Sequence, residues 1–183
     1  PAAPVVDRTQ FLLDACKGKI VLDVGASGKM HQGIAKVASK CYGIDRPEPP
    51  REPGGMIVGR SAVLEMDDHG AAVEKQVMHF MDLDDVQAAL PGYSDVQLVV
   101  CGEVLEHLSN PGWLLVRLSA IYRTVPLIVT VPNAFSDGAR NVLIRDKTEC
   151  INKDHICWYS WWTISNLLTR HGWTVKNWYW YNG

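Results

Sequence analysis

The chain predicts an α/β fold: a Rossmann-like, doubly wound, mostly parallel sheet of about six or seven strands with helices on both faces. Three observations carry that prediction. Short apolar runs recur along the chain, and several end in an acid: Asp23, Asp45 and Asp82. Amphipathic runs with helical spacing separate them. The first apolar run passes directly into the small-residue turn Gly25-Ala26-Ser27-Gly28 and then a helical pattern. A chain that turns this tightly between strand and helix presents free N–H groups and lets a ligand approach the backbone.

Taken in order, residues 5–16 place Val6, Phe11, Leu12 and Ala15 at helical spacing and stop at Gly18, so a leading helix is expected. Residues 19–24 form the first strand, 31–40 a helix and 41–45 a second strand. Residues 46–55 hold four prolines and two glycines, which excludes regular structure. Residues 56–74 are expected to hold a strand fragment and a short helix, making 46–75 an irregular insertion between the second and third strands. Residues 76–82 are the third strand and 96–101 a fourth. A helix follows over 114–121, a fifth strand over 126–131, a helix over 160–171 stopped by Gly172, and a last strand over 173–181. No internal repeat is present, and 183 residues fit one domain, residues 1–183.

Composition narrows the function classes. The hydrophobic share of 47% supports a full core, and the net charge is −2 without any Lys/Arg run. A non-specific nucleic-acid surface is therefore not expected. No apolar run reaches the roughly 20 residues of a membrane span. Five cysteines, Cys16, Cys41, Cys101, Cys150 and Cys157, stand singly, which suits a reducing, cytoplasmic setting. Cys150, His155 and Cys157 match no zinc spacing, so no metal is expected.

In an open parallel sheet, ligands bind beyond the carboxyl ends of the strands. Those ends read Asp23-Val24-Gly25, Ile44-Asp45, Met81-Asp82 and Cys101-Gly102-Glu103, which delivers acids to one rim. Such a turn serves dinucleotides and S-adenosylmethionine (SAM) alike. SAM carries no pyrophosphate, so it does not require the third glycine of the dinucleotide fingerprint, and this chain lacks it.

On these residues the chain resembles the class I SAM-dependent methyltransferases. Asp23 to Gly28 is similar to their first motif. The run Glu103-Val104-Leu105-Glu106-His107-Leu108-Ser109-Asn110-Pro111 is similar to the E-V-L-E-H-L-x-x-P signature of the small standalone, ubiquinone-biosynthesis-like branch. Val131-Pro132-Asn133 and Asp154-His155-Ile156-Cys157-Trp158-Tyr159-Ser160 also fit. The resemblance implies SAM as methyl donor and S-adenosylhomocysteine as product. It implies cofactor contacts from Asp23, Gly25, Ala26, Ser27, Gly28, Asp45, Asp82, Leu83, Cys101, Gly102 and Glu103. Asp45 would accept both ribose hydroxyls, Asp82 the adenine amino group, and Glu103 would stand near the methionine end. His155 and His107 are the catalytic candidates, with Glu106 structural. Two departures stand out: Ser27 and Lys29 occupy positions the family usually gives to glycine, and the chain is short for the family's closing antiparallel hairpin.

The acceptor is expected to be a small molecule offering an O, C or N nucleophile. Lid candidates are the leading helix, the proline-rich loop and residues 136–154, the last with Arg140, Arg145 and Lys147. Along 178–181, Trp178 and Trp180 face one way and Tyr179 and Tyr181 the other, so this edge is buried on both sides or meets a partner, for which a homodimer is the expectation. Two other readings remain open: a nicotinamide-dependent oxidoreductase, and a methyltransferase-like subunit that binds without turnover.

Overall fold

Five strands lie parallel in one sheet, with a sixth antiparallel at its edge, in the order β4-β5-β3-β2-β6-β7. This computed structural model describes residues 3–46, 59–66, 72–149 and 152–181, with backbone alone over 59–66 and 72–73. The strands are β2 (Ile20–Val24), β3 (Lys40–Asp45), β4 (Gly59–Met66), β5 (Ala72–Phe80), β6 (Leu98–Gly102) and β7 (Leu127–Thr130). A separate pair joins β1 (Val5–Val6) in parallel to β8 (Trp180–Tyr181).

The period-two pattern of the central strands builds two cores. Val21 and Leu98 are register partners on one face, and Leu22 and Val99 pair on the other. On the first face, Val21, Leu98, Val100 and Cys41 pack with Leu12 and Cys16 of α1 (Arg8–Cys16) and Ile34 of α2 (Gly28–Val37). On the second, Leu22, Val24, Val99 and Cys101 meet Leu114, Leu115 and Leu118 of α3 (Pro111–Ile121), with Ile164, Leu167 and Leu168 of α5 (Trp161–Arg170) packed behind. A fifth helix, α4 (Asp137–Asp146), buries none of its residues.

Several expected boundaries move for local reasons. The leading helix begins at Arg8 because the Asp7 carboxylate accepts from Gln10 N–H and caps it, leaving Val5 and Val6 extended. The α3 helix starts three residues before the expected Leu114, since Asn110 caps it by accepting from Trp113 N–H and Pro111 takes its first turn. Ser160 and Thr163 form a capping box at α5.

Two expectations are corrected outright. Residues 46–75 are not irregular throughout: Gly59–Met66 is a strand, and β5 begins at Ala72, so the two form an antiparallel hairpin with no helix between 59 and 66. The proline-rich run 47–55 lies outside the described residues. The expected strand over 173–181 is strand only at Trp180–Tyr181. Trp173 instead donates its indole N–H to the Leu115 carbonyl, and Trp178 stacks on Trp161 with ring centroids 4.3 Å apart. Side-chain packing, not strand pairing, holds that segment.

Candidate active site

The strand order reverses at β2: β3 pairs on one side and β6 on the other. The carboxyl ends of these three strands therefore diverge around a crevice, the place where open α/β sheets take ligands. A cavity of about 380 Å³ lies there, lined by Asp23, Gly25, Asp45, Gly102, Glu103 and His107 among others.

The turn after β2 is held by the neighbouring strand. Gly25 N–H and Ala26 N–H both donate to the Ile44 carbonyl, at 2.7 and 3.0 Å. Gly25 has φ +78°, a conformation that L side chains avoid, and a Cβ there would meet Val104 Cγ2 at 2.2 Å. The Ser27 hydroxyl makes no capping hydrogen bond, so it takes none of the first-turn N–H groups of α2. Ser27 and Lys29, the residues that depart from the family pattern, both line the cavity.

Asp23 is buried and accepts from His31 Nδ1–H at 2.8 Å, while His31 Nε2 accepts from the Gln76 amide at 2.6 Å. The hydrogen bond to Asp23 places a proton on Nδ1 of His31. Burial pushes the Asp23 carboxyl upward, and the hydrogen bond from His31 offsets part of that. Sequence reasoning missed His31 because its partners come from β2 and β5.

Glu103 is the strained residue of the rim. Its φ of 56° lies in the left-handed region, rare for a residue with a Cβ. The bonds that hold it there are visible. Its N–H donates to the Thr130 carbonyl, and its Oε1 accepts from Thr130 Oγ1 at 2.9 Å and Tyr181 OH at 2.7 Å. Arg8 Nη1 approaches the same oxygen at 3.2 Å and lies over the Tyr181 ring. One carboxylate thus ties the first helix and the last strand to the end of β6. Neither Arg8 nor Tyr181 carries a sequence signal for this role.

Beyond Glu103 the chain forms a single 3-10 turn, Leu105–His107. Glu106 is 1% exposed and neither carboxylate oxygen has a hydrogen-bond partner. Burial foremost raises its pKa from 4.5 to about 7, with the Glu103 charge adding; its own main-chain N–H and Arg8 relieve part of this without a hydrogen bond of acceptable geometry. The Glu106 carbonyl accepts from Ile156 N–H and Cys157 N–H, which docks residues 152–160 against the turn. His155 is brought edge-on to His107, ring centroids 4.6 Å apart. Burial, and after it the neighbouring His107, hold the His155 pKa below its ordinary value.

The other expected site residues divide. Leu83 lines the cavity. Cys101 does not: it is wholly buried in the core, because its side chain points to the sheet face opposite Val100. Ala26, Gly28 and Asp82 are also absent from the lining. Asp82 is exposed and accepts from Asp84 N–H at 2.9 Å. Cys150 lies outside the described residues, and burial pushes the thiols of Cys41 and Cys101 up, leaving them inert.

A family model described as a methyltransferase domain matches residues 3–177. The chain belongs to this methyltransferase family. Its methyl donor is SAM, and the likeness extends to solved methyltransferase folds. The YcgJ protein of Bacillus subtilis is 14% identical, with a TM-score of 0.56, covering 89% of this chain and 66% of that one. The 1,6-didemethyltoxoflavin-N1-methyltransferase of Burkholderia thailandensis, solved with S-adenosylhomocysteine, is 14% identical at TM-score 0.53, over 89% of this chain and 66% of its own. The magnesium protoporphyrin IX methyltransferase of Synechocystis, solved with SAM, is 16% identical at TM-score 0.52, over 92% and 67%. The methyltransferase described here thus spans about two thirds of each of these chains. Comparison with curated protein sequences yields no match. Among the described residues no helix is long and apolar enough to cross a membrane.

Proposed function

We propose that this methyltransferase transfers the methyl group of SAM to an O, C or N nucleophile of a small molecule. The observation that carries the reading is the cavity at the strand-order reversal, with an acid at the end of each of β2, β3 and β6 and His107 beside the last.

In this reading Asp45 accepts from the ribose hydroxyls, and Leu83 packs on the adenine with Asp82 at the rim near its amino group. The turn from Gly25 to Gly28 lets the backbone come close to the cofactor. Glu103 lies at the methionine end. Since β3 and β6 flank β2 at strand spacings of about 4.8 Å, Asp45 and Glu103 stand about 10 Å apart across the sheet. That separation sets the ribose at one end of the cavity and the sulfonium toward the other.

The sulfonium methyl is already electrophilic, so positioning and exclusion of water do most of the work. The nucleophile attacks in line, its bond to carbon forms as the C–S bond breaks, and S-adenosylhomocysteine leaves as a neutral thioether. A protonated nucleophile must also lose its proton. In this reading His107, which lines the cavity, takes that proton, with His155 edge-on behind it. The acceptor is taken as a small molecule because the chain carries a net charge of −2 and no basic run.

Methyl-tritiated SAM incubated with panels of phenols, alcohols, amines and enolisable carbonyls tests this. Label should move to members of one acceptor class, and Asp45→Ala should abolish the transfer. SAM binding without label transfer to any class would contradict it and favour a binding subunit.

A further inference from the structure

We infer that His31, braced by Gln76, positions the Asp23 carboxylate as the anionic floor of the cofactor cavity, on which the SAM cation rests. The inference deepens the methyl-transfer reading above and rests on it for the ligand.

The arrangement joins elements that are distant in the sequence. Asp23 lies near the end of β2, His31 early in α2, and Gln76 on β5. Asp23 and His31 are 5% and 6% exposed, and both line the cavity. Asp23 Oδ2 accepts from His31 Nδ1–H at 2.8 Å, and His31 Nε2 meets the Gln76 amide at 2.6 Å. Gln76 is itself fixed in the sheet, with Cys41 of β3 and Val63 of β4 as its register partners. Both ring nitrogens are engaged, so the imidazole cannot turn away from Asp23 without losing a bond at each end.

Asp23 depends on this support. A carboxylate this buried is costly to keep charged, and burial pushes its pKa upward. Its ion-pair partner among the described residues is His31. The other titratable groups facing it give no relief. Burial pushes up the thiols of Cys16 on α1, Cys41 on β3 and Cys101 on β6, so they stay uncharged. Asp45, at the end of β3, adds a like charge. Its register partners, Gly43 and Val100, bring no polar side chain. The hydrogen bond from His31 is what offsets burial foremost.

SAM carries a sulfonium and an ammonium against one carboxylate, so it is a net cation. Because β2 lies between β3 and β6, Asp23 stands between Asp45 and Glu103, beneath the middle of the crevice. A charge held in such a water-poor site acts more strongly than the same charge in solvent. S-adenosylhomocysteine has lost the sulfonium charge and is otherwise alike, so an anionic floor favours the donor over the product. His31 acts through Asp23 and is a positioning residue.

The test is calorimetric titration with SAM and with S-adenosylhomocysteine between pH 5.5 and 8, on the wild type, His31→Asn and His31→Leu. Asparagine can place an amide N–H where Nδ1–H stands, and leucine cannot. Losing the donor lets the Asp23 carboxyl rise further, so it takes up its proton earlier as pH falls. His31→Leu should therefore bind SAM more than about tenfold more weakly at pH 5.5, recover part of the loss by pH 8, and lose less than about threefold for S-adenosylhomocysteine. His31→Asn should stay within about threefold of the wild type. The cavity's other charged or titratable groups, Arg8, Lys29, Arg46, Glu103 and His107, are common to all three proteins, so the difference between profiles reports position 31. Circular dichroism confirms folding, and Gln76→Met, with the same pattern at about threefold, replaces His31→Leu if that variant does not fold. Losses that are equal for the two ligands and flat across pH, an unchanged SAM affinity in His31→Leu, or His31→Asn as weak as His31→Leu would each overturn the inference. A wild type that binds neither ligand would instead overturn the SAM reading.

Discussion

Replacing Gly25 by alanine separates two costs that the turn after β2 imposes on a side chain. Gly25 and Gly28 have similar positive φ, +78° and +64°. A residue with a Cβ at either position bears a strain of about 1–2 kcal/mol. Their surroundings differ. A Cβ at Gly28 has nothing within 4 Å, whereas one at Gly25 would stand 2.2 Å from Val104 Cγ2. Carbon atoms rest at about 3.5–4.0 Å, and Val104 is β-branched, buried and stiff at χ1, so overpacking adds about 1–3 kcal/mol. Gly28→Ala should therefore destabilise by about 1–2 kcal/mol and Gly25→Ala by about 2–5 kcal/mol, read from urea unfolding at unchanged m. Adding Val104→Ala should show a favourable coupling of about 1–3 kcal/mol with Gly25→Ala and none with Gly28→Ala. Equal costs for the two glycines, with no coupling to Val104, would refute the argument that the close approach of Val104 shapes this turn.

Three further outcomes are expected. Glu106 stays protonated in the fold up to about pH 7, whereas the unfolded chain releases that proton near 4.5. The carboxyl therefore costs nothing below 4.5, stability falls as pH rises toward about 7, and it levels off above. At 1.36 kcal/mol per pKa unit the whole fall amounts to about 3 kcal/mol. Glu106→Gln should match the wild type near pH 4.5 and exceed it at pH 8 by urea unfolding, and parallel pH profiles would count against the buried charge. Leu118→Ala, at a fully buried position of α3, should cost about 2–5 kcal/mol by the same assay. Tyr181→Phe removes the hydroxyl that donates to Glu103 and lies against the Val131 carbonyl, so it should cost about 1–2 kcal/mol and raise the SAM dissociation constant, measured by calorimetry.

The parts of the fold legible in the sequence are those whose cause is local. The run from Val21 to Gly28 shows its strand, its acid and its turn in eight consecutive residues, and the structure places the cavity at that turn. Asn110-Pro111 was equally local, a cap followed by a first-turn proline, and marks the start of α3 better than apolar spacing does. What could not be read depends on distant partners. Val6 was read into one helical run with Phe11, Leu12 and Ala15, yet Val5 and Val6 are strand because Trp180 and Tyr181 pair with them. Cys101 and Gly102 are neighbours in the motif, but the pleat sends one side chain to the core and leaves the other residue at the cavity wall. Glu106 reads as an ordinary acid at the start of a helical turn. Only the packing of residues 152–160 over it reveals a buried, unpartnered carboxylate.

The central claim is that SAM occupies the crevice where β3 and β6 diverge from β2. Isothermal titration of the purified protein with SAM, and then with S-adenosylhomocysteine, tests it most directly, with Asp45→Ala run in parallel. Saturable one-to-one binding that Asp45→Ala weakens severely is the predicted result. A folded protein that binds neither ligand, or one whose affinity is untouched by Asp45→Ala, would contradict it.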